Sequence, residues 1–220
     1  MPRLSLLWGR CADGYELVAP PRGKTLAEGG GSVTAAEIAA SLVVRRRSAR
    51  LSFRQVRFCR TGAQPLYKRL ANISPTPQGA LSFIEAFGLL ANRRSESVGD
   101  VLSHRAAIRM LLAAARRDDW ETIELWLIDN GTVVRSRFAI GFADDGRPEV
   151  LHQPTTLISA IYLQLLQDKA AGTQYKRCKR PGCPEYFYYG PNTGRRETAE
   201  YCTPSCRTKH FLMKRSQANG

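Results

Sequence analysis

Residues 178–206 read CKRPGCPEYFYYGPNTGRRETAEYCTPSC, and four of the six cysteines of the chain fall in this stretch. They form two close pairs, Cys178-x4-Cys183 and Cys202-x3-Cys206, with eighteen residues between the pairs. Two such pairs joined by a short polar segment offer four soft thiolates at the separations a tetrahedral zinc ion needs. The pattern therefore predicts a small, closed, structural zinc module with Cys178, Cys183, Cys202 and Cys206 as ligands. An iron–sulfur cluster or a metal-free cluster is the alternative, and His210, four residues after Cys206, could replace one thiolate. A catalytic zinc would need an open position, which four thiolates do not leave.

Local chemistry fills in the module. Pro181-Gly182 is a turn that lets both sulfurs of the first pair point inward. Residues 184–189 and 195–201 are expected to pair as strands around Gly190 to Gly194. Thr203-Pro204 supplies an N-cap and a first helical residue, placing Cys206 on the first turn of a helix and Cys202 just before it. Knuckle, hairpin and helix together predict a treble-clef-like unit, held by its metal rather than by a large apolar core.

The 220 residues are enough for one principal domain and such a module. We expect an α+β domain over residues 1–172 and the zinc module over residues 173–220, divided at Ala171-Gly172-Thr173. Charge is the unusual quantity: 33 Lys and Arg against 19 Asp and Glu give +14. Residues 45–60 hold seven Arg and no acid, and residues 173–220 hold ten bases and three acids, so each contributes +7 and the rest of the chain is neutral. Such a balance predicts attraction to a polyanion, of which nucleic acid is the commonest. Leu4 to Trp8 is too short for a signal-peptide core and no run reaches the ~20 apolar residues of a membrane span. The expected setting is the cytoplasm, with no membrane partner, where cysteine pairs serve as metal ligands rather than disulfides.

Along the first 172 residues, Thr34-Ala-Ala-Glu37 fits a capping box and predicts a helix start. Arg45 to Arg60 alternates with one slip, which suggests one strand with a bulge, basic on one face: either a phosphate-contacting ribbon or a solvated strand. Cys59 reads as a small hydrophobe and His104 as a histidine without catalytic partners. Thr76-Pro77 should open a helix to about Leu90, and a second helix should run from Asp100 to about Arg117. Thr122–Ile128 and Thr132–Ile140 are predicted to be a hairpin around Asn130-Gly131. Asp144-Asp145-Gly146 marks another turn before a short strand over Glu149–Gln153. Thr155 or Thr156 then opens a helix to about Ala170.

Cys178-x4-Cys183, Phe187, Arg195-Arg196 and Tyr201-Cys202-x3-Cys206 followed by Arg207 and Lys209 resemble the CGNR-type zinc finger of bacterial proteins. In those proteins the finger follows an N-terminal α/β domain called ABATE, to which Leu66–Asn72 and Ser82–Leu90 bear a looser likeness. This chain has Arg207-Thr208-Lys209 where the family has Gly-Asn-Arg, so it stands as a divergent relative. The resemblance implies a DNA-binding transcription regulator.

The expected function is accordingly binding of DNA, in preference to RNA, through the basic zinc module. Arg195, Arg196, Arg207, Lys209, Lys214 and Arg215 are the expected backbone contacts, with Arg207, His210 and Lys214 on one side of the last helix. Tyr186, Tyr188 and Tyr189 either stack on bases or pack within the module. The rival readings are a zinc-stabilised protein-interaction adaptor and an RNA-binding protein; a protein partner or a homodimer is compatible with each. The N-terminal domain shows no paired acid and base, nucleophile motif or phosphate loop, so no enzyme is expected, and any small-molecule ligand of that domain is unassigned.

Overall fold

The computed structural model describes residues 5–19, 42–48, 51–57, 65–91, 94–131, 133–142, 147–183, 185–189 and 196–218. The helix expected from Thr34, and Cys59, Arg60, Asp144-Asp145-Gly146 and Arg195, lie outside them. The fold is α+β, as expected, with six helices and four small antiparallel sheets among the described residues. In chain order the strands are β1 (Ser5–Cys11), β2 (Tyr15–Val18), β3 (Val43–Arg46), β4 (Leu51–Arg57), β5 (Ser95–Ser97), β6 (Ser136–Phe142), β7 (Pro148–Pro154), β8 (Gln174–Arg177) and β9 (Tyr186–Tyr189). The helices are α1 (Leu66–Asn72), α2 (Pro77–Phe87), α3 (Val98–Arg116), α4 (Trp120–Asn130), α5 (Leu157–Ala170) and α6 (Pro204–Ala218).

Helix starts follow their capping side chains. Thr76 accepts from the Gly79 amide at 3.2 Å, Ser97 from Asp100 at 2.9 Å and Thr156 from Ser159 at 3.1 Å, each satisfying an otherwise free donor of the first turn. Helix α2 stops three residues before Leu90 because Gly88 turns to φ +94°, a conformation open to glycine. The core is built where α1, α2, α3 and α5 meet, with Leu70, Ile84, Val101, Ile108, Leu112, Leu157 and Ile161 fully enclosed. Each such side chain contributes roughly 1.5–3 kcal/mol by leaving water. Arg105 and Arg109 of α3 donate to the carbonyls of Ile73 and Ala71, closing the end of α1.

Two sequence expectations are corrected. The run from Arg45 is not one bulged strand: β3 pairs with β2 and β5, while β4 pairs with β1 in a separate sheet. The cause is the turn at Gly14, φ +83°, which breaks the opposite side between β1 and β2. Cys11 faces Leu51 and Tyr15 faces Arg46, so three residues on one side oppose four on the other. The slip in the alternation, between Phe53 and Val56, lies inside β4, whose register with β1 runs through it without a bulge.

The predicted hairpin around Asn130-Gly131 is instead helix α4 followed by a turn. Asp119 caps the helix, accepting from the Thr122 amide at 3.0 Å and its hydroxyl at 2.8 Å. Gly131 has φ −56°, so the positive φ that a tight hairpin turn requires is absent. Ile123 is buried and Trp126 stacks on the enclosed Tyr162 at 4.5 Å, so packing overrides the β propensity of the local residues. The hairpin of this region lies one step later, between β6 and β7.

Two measurements check this core. A Cβ at Gly79 would sit 2.2 Å from the Ser74 carbonyl oxygen. Gly79→Ala is therefore expected to lower stability by about 1–3 kcal/mol in denaturant melts, where an ordinary helical Gly→Ala change stabilises by roughly 0.5–1 kcal/mol. His104, bonded through Nδ1 to the Tyr162 hydroxyl at 3.1 Å, has its pKa lowered by burial, against an opposing pull from Asp100. The unfolded chain then binds the extra proton first, so this contribution is present above a pH of about 6.5 and is lost as pH falls. His104→Gln should flatten that acid limb of the stability curve.

Candidate metal centre

The sulfurs of Cys178, Cys183, Cys202 and Cys206 all lie within 4.8 Å of one another, and all four residues are buried. Cys183 is 3.8 Å from Cys202 and 3.9 Å from Cys206, and Cys202 is 3.4 Å from Cys206. A tetrahedron of sulfurs at about 2.3 Å from one ion has edges of about 3.8 Å. The donors are four unbridged thiols. This arrangement fits a metal ion.

Two pieces of chain carry the donors. Strands β8 and β9 pair antiparallel from Gln174↔Tyr189 to Arg177↔Tyr186, and the knuckle closes their end. The Cys178 amide donates to the Glu185 carbonyl at 2.9 Å and the Cys183 amide to that of Arg180 at 3.1 Å. Gly182 supplies φ +71° in the Pro-Gly turn between them. Cys202 and Cys206 come from the start of α6, where Thr203 caps the helix by accepting from the Cys206 amide at 3.2 Å. The pieces are tied together by Lys179 N–H to the Glu200 carbonyl at 2.9 Å and by the Cys202 amide to Cys178 Sγ at 3.5 Å.

The strand pairing differs from the expected one. Strand β9 finds its partner before the knuckle, and residues 196–201 form no strand. Residues flanking the knuckle on both sides are then adjacent, so the knuckle is itself the hairpin's turn.

Charge around the sulfurs is organised for ionisation. The Arg180 guanidinium lies beside the sulfurs of Cys183 and Cys206, and their proximity raises its pKa. The Cys206 thiol is lowered to about 7, first by the Thr203 hydroxyl and further by Cys202, Cys183 and Arg180. Cys202 is pushed up, chiefly by burial and then by its neighbouring sulfurs. Several thiolates cannot share this space without a cation. A bound metal would replace the thiol protons, coupling ion binding to folding of the segment.

His210 is buried, but it meets the Tyr201 hydroxyl through Nδ1 at 3.1 Å and is outside the thiol cluster. It consequently faces inward rather than sharing a solvent face with Arg207 and Lys214. Those two, with Lys209 and Arg215, are exposed along α6, and Arg196 is exposed before it. Lys179 forms an ion pair with Glu200 at 2.7 Å, and Lys176 lies over the Tyr189 ring at 4.2 Å.

The tyrosines divide by strand alternation. Phe187 is enclosed with the cysteines. Tyr186 and Tyr188 point the other way and pack on the large core, under Arg109 at 5.3 Å and Lys68 at 5.6 Å respectively. Tyr175 of β8 is buried in that core and meets Tyr67 edge-on at 6.2 Å, while Asn72 donates to Glu185 at 2.7 Å. Of the three tyrosines considered for base stacking, two are thus taken by internal packing. Lys68 and Arg109 were not singled out by sequence reading: both are remote in sequence, and only the Tyr-Phe-Tyr alternation hints that β9 serves two cores.

No family model and no curated protein matches the chain.

Cobalt(II) titrated into the metal-stripped protein should give the intense thiolate charge-transfer and tetrahedral d–d absorption of an S4 site, weakened in Cys183→Ser. Chelation should deprotect the amides of 202–210 most, and those of 174–189 less, in hydrogen exchange, while α3 and α5 keep their protection, because most of their core comes from residues before the hairpin.

Proposed function

We propose that the ion is zinc and that this chain is a DNA-binding protein of transcription regulation, divergent from the CGNR-type regulators. Its role is binding rather than catalysis, since four thiolates leave a zinc ion no open position for a substrate. The observation that carries the reading is helix α6. It holds Arg207, Lys209, Lys214 and Arg215, all exposed, and no acid, on a helix anchored at its first turn by the thiol cluster. Zinc with four thiolates has a net charge of −2, so the +7 of residues 173–220 falls only to +5. Arg195 and Arg196 precede the same helix. Together these six side chains are assigned to phosphate oxygens, contacts that supply affinity and register rather than base sequence.

Packing of the partly buried Tyr186 and Tyr188 against the core occupies two of the platforms that single-strand binding would use, which favours duplex DNA over RNA.

Purified protein should carry one zinc per chain and bind mixed duplex DNA with an affinity that falls steeply with salt. Changing Arg207, Lys209, Lys214 and Arg215 to Ala should make the log–log salt slope shallower by about 0.9 for each phosphate that is no longer neutralised. A zinc-loaded variant binding with the parent's slope would turn the reading down, and preference for single-stranded RNA in competition would replace DNA with RNA.

A further inference from the structure

Helix α4 is at odds with the rest of this basic chain. It carries Glu121, Glu124 and Asp129 and no base, and only Ile123 of its eleven residues is fully buried. At about 100° per residue, Ile123, Trp126 and Asn130 point inward, and Glu121, Leu125 and Ile128 lie on the outer face between Glu124 and Asp129. Exposure agrees: Leu125 is 55% and Ile128 70% accessible, and the three acids are exposed. Among the described residues no ion pair engages those acids. An apolar centre rimmed by like charge has the anatomy of an interface rather than of a solvated helix face.

The chain also carries the complementary surface. Beyond His210, α6 is exposed all round, with Phe211 at 68%, Leu212 at 58% and Met213 at 40% accessible. One flank holds Lys209, Leu212 and Met213; the other holds Arg207, Phe211, Lys214 and Arg215. The first flank mirrors α4 in chemistry, with large apolar side chains beside a base instead of acids. Within one molecule the two faces do not meet, since both are open to solvent. They can meet between molecules.

We propose that a second copy of this chain covers the acidic, apolar outer face of α4 with the Lys209, Leu212 and Met213 flank of its own α6, in a reciprocal exchange. Two-fold symmetry then makes each contact twice, as an isologous dimer requires, which doubles the buried area toward the roughly 1,200–2,000 Å² of a stable interface. Lys209 turns to the acids of the partner copy. Arg207, Lys214 and Arg215 stay on the open flank. The proposal shares with the nucleic-acid reading only Lys209, one of the six bases assigned there to phosphate, and otherwise rests on α4 and on the flank of α6 away from the other three.

The test is sedimentation velocity of the full, metal-loaded chain and of two variants, Leu125→Glu/Ile128→Glu in α4 and Leu212→Glu/Met213→Glu in α6. All four positions are exposed, so thermal melts and metal content should match the parent. The parent is expected at twice its 24.5 kDa mass, and each variant as a monomer or with a dissociation constant raised at least about tenfold. An equimolar mixture of the variants should regain partial association, because the intact α6 of one meets the intact α4 of the other. A monomeric parent at the highest soluble concentration overturns the proposal. So does a dimer that survives either variant, or two monomeric variants whose mixture stays monomeric. Duplex-DNA binding by the α4 variant, followed separately, reports on the nucleic-acid reading alone.

Discussion

The structure depends on β9 packing in two directions. A strand sends successive side chains to opposite faces, and in Tyr186-Phe187-Tyr188 this puts one aromatic ring against the cysteines and two against the helical core. One short strand thereby lines both hydrophobic clusters. The thiol centre is therefore not tethered through a free linker at Gly172. It is seated on α1 and α3 by Lys68, Asn72 and Arg109. The direction in which α6 leaves the body follows from that seating, because Cys202 and Cys206 at its start are fixed by the same cluster.

The cluster itself is an electrostatic problem with a narrow set of solutions. Four buried sulfurs gain little from one another as thiols, and as thiolates they repel. The nearby Arg180 guanidinium relieves part of this, and the Thr203 hydroxyl favours ionisation of Cys206. A divalent cation would relieve the remainder. Among the described residues the second small core adds Phe187, with Ala199 and Tyr201 partly buried, too little apolar surface to order the segment on its own account.

What could be read from the sequence is what depends on neighbours along the chain. The cysteine spacing, the caps at Thr76, Thr156 and Thr203, and the stop at Gly172 are local chemistry, and the structure has each of them. Failures came where a distant partner decides. Residues 120–130 are rich in β formers, yet Tyr162, more than thirty positions away, makes a helix the better-packed choice. Strand β9 had two candidate partners at similar separation, and nothing local distinguished Gln174–Arg177 from residues 195–201. Likewise Arg109 and Tyr186 meet only because α3 and the hairpin share a core, and neither residue advertises the other.

Helix α6 shows how the fold leaves a requirement open. Its first turns are held by Cys206 and His210, but from Phe211 onward every described side chain is exposed. An isolated helix of this length is marginal in water, and most helical stability in proteins comes from a packed face. Four bases without an acid add self-repulsion along the same segment, strongest for Lys214 and Arg215 near its end. The negative end of the helix dipole offsets only part of that. A polyanion along the basic flank would neutralise the charge, and an apolar, acidic surface along the other would cover Leu212 and Met213. Apart from Lys209, which both would engage, the two flanks are separate, so occupying one leaves the rest of the other free. The thiol cluster fixes where the helix begins, and the helix's two surface chemistries determine what can hold the rest of it in place.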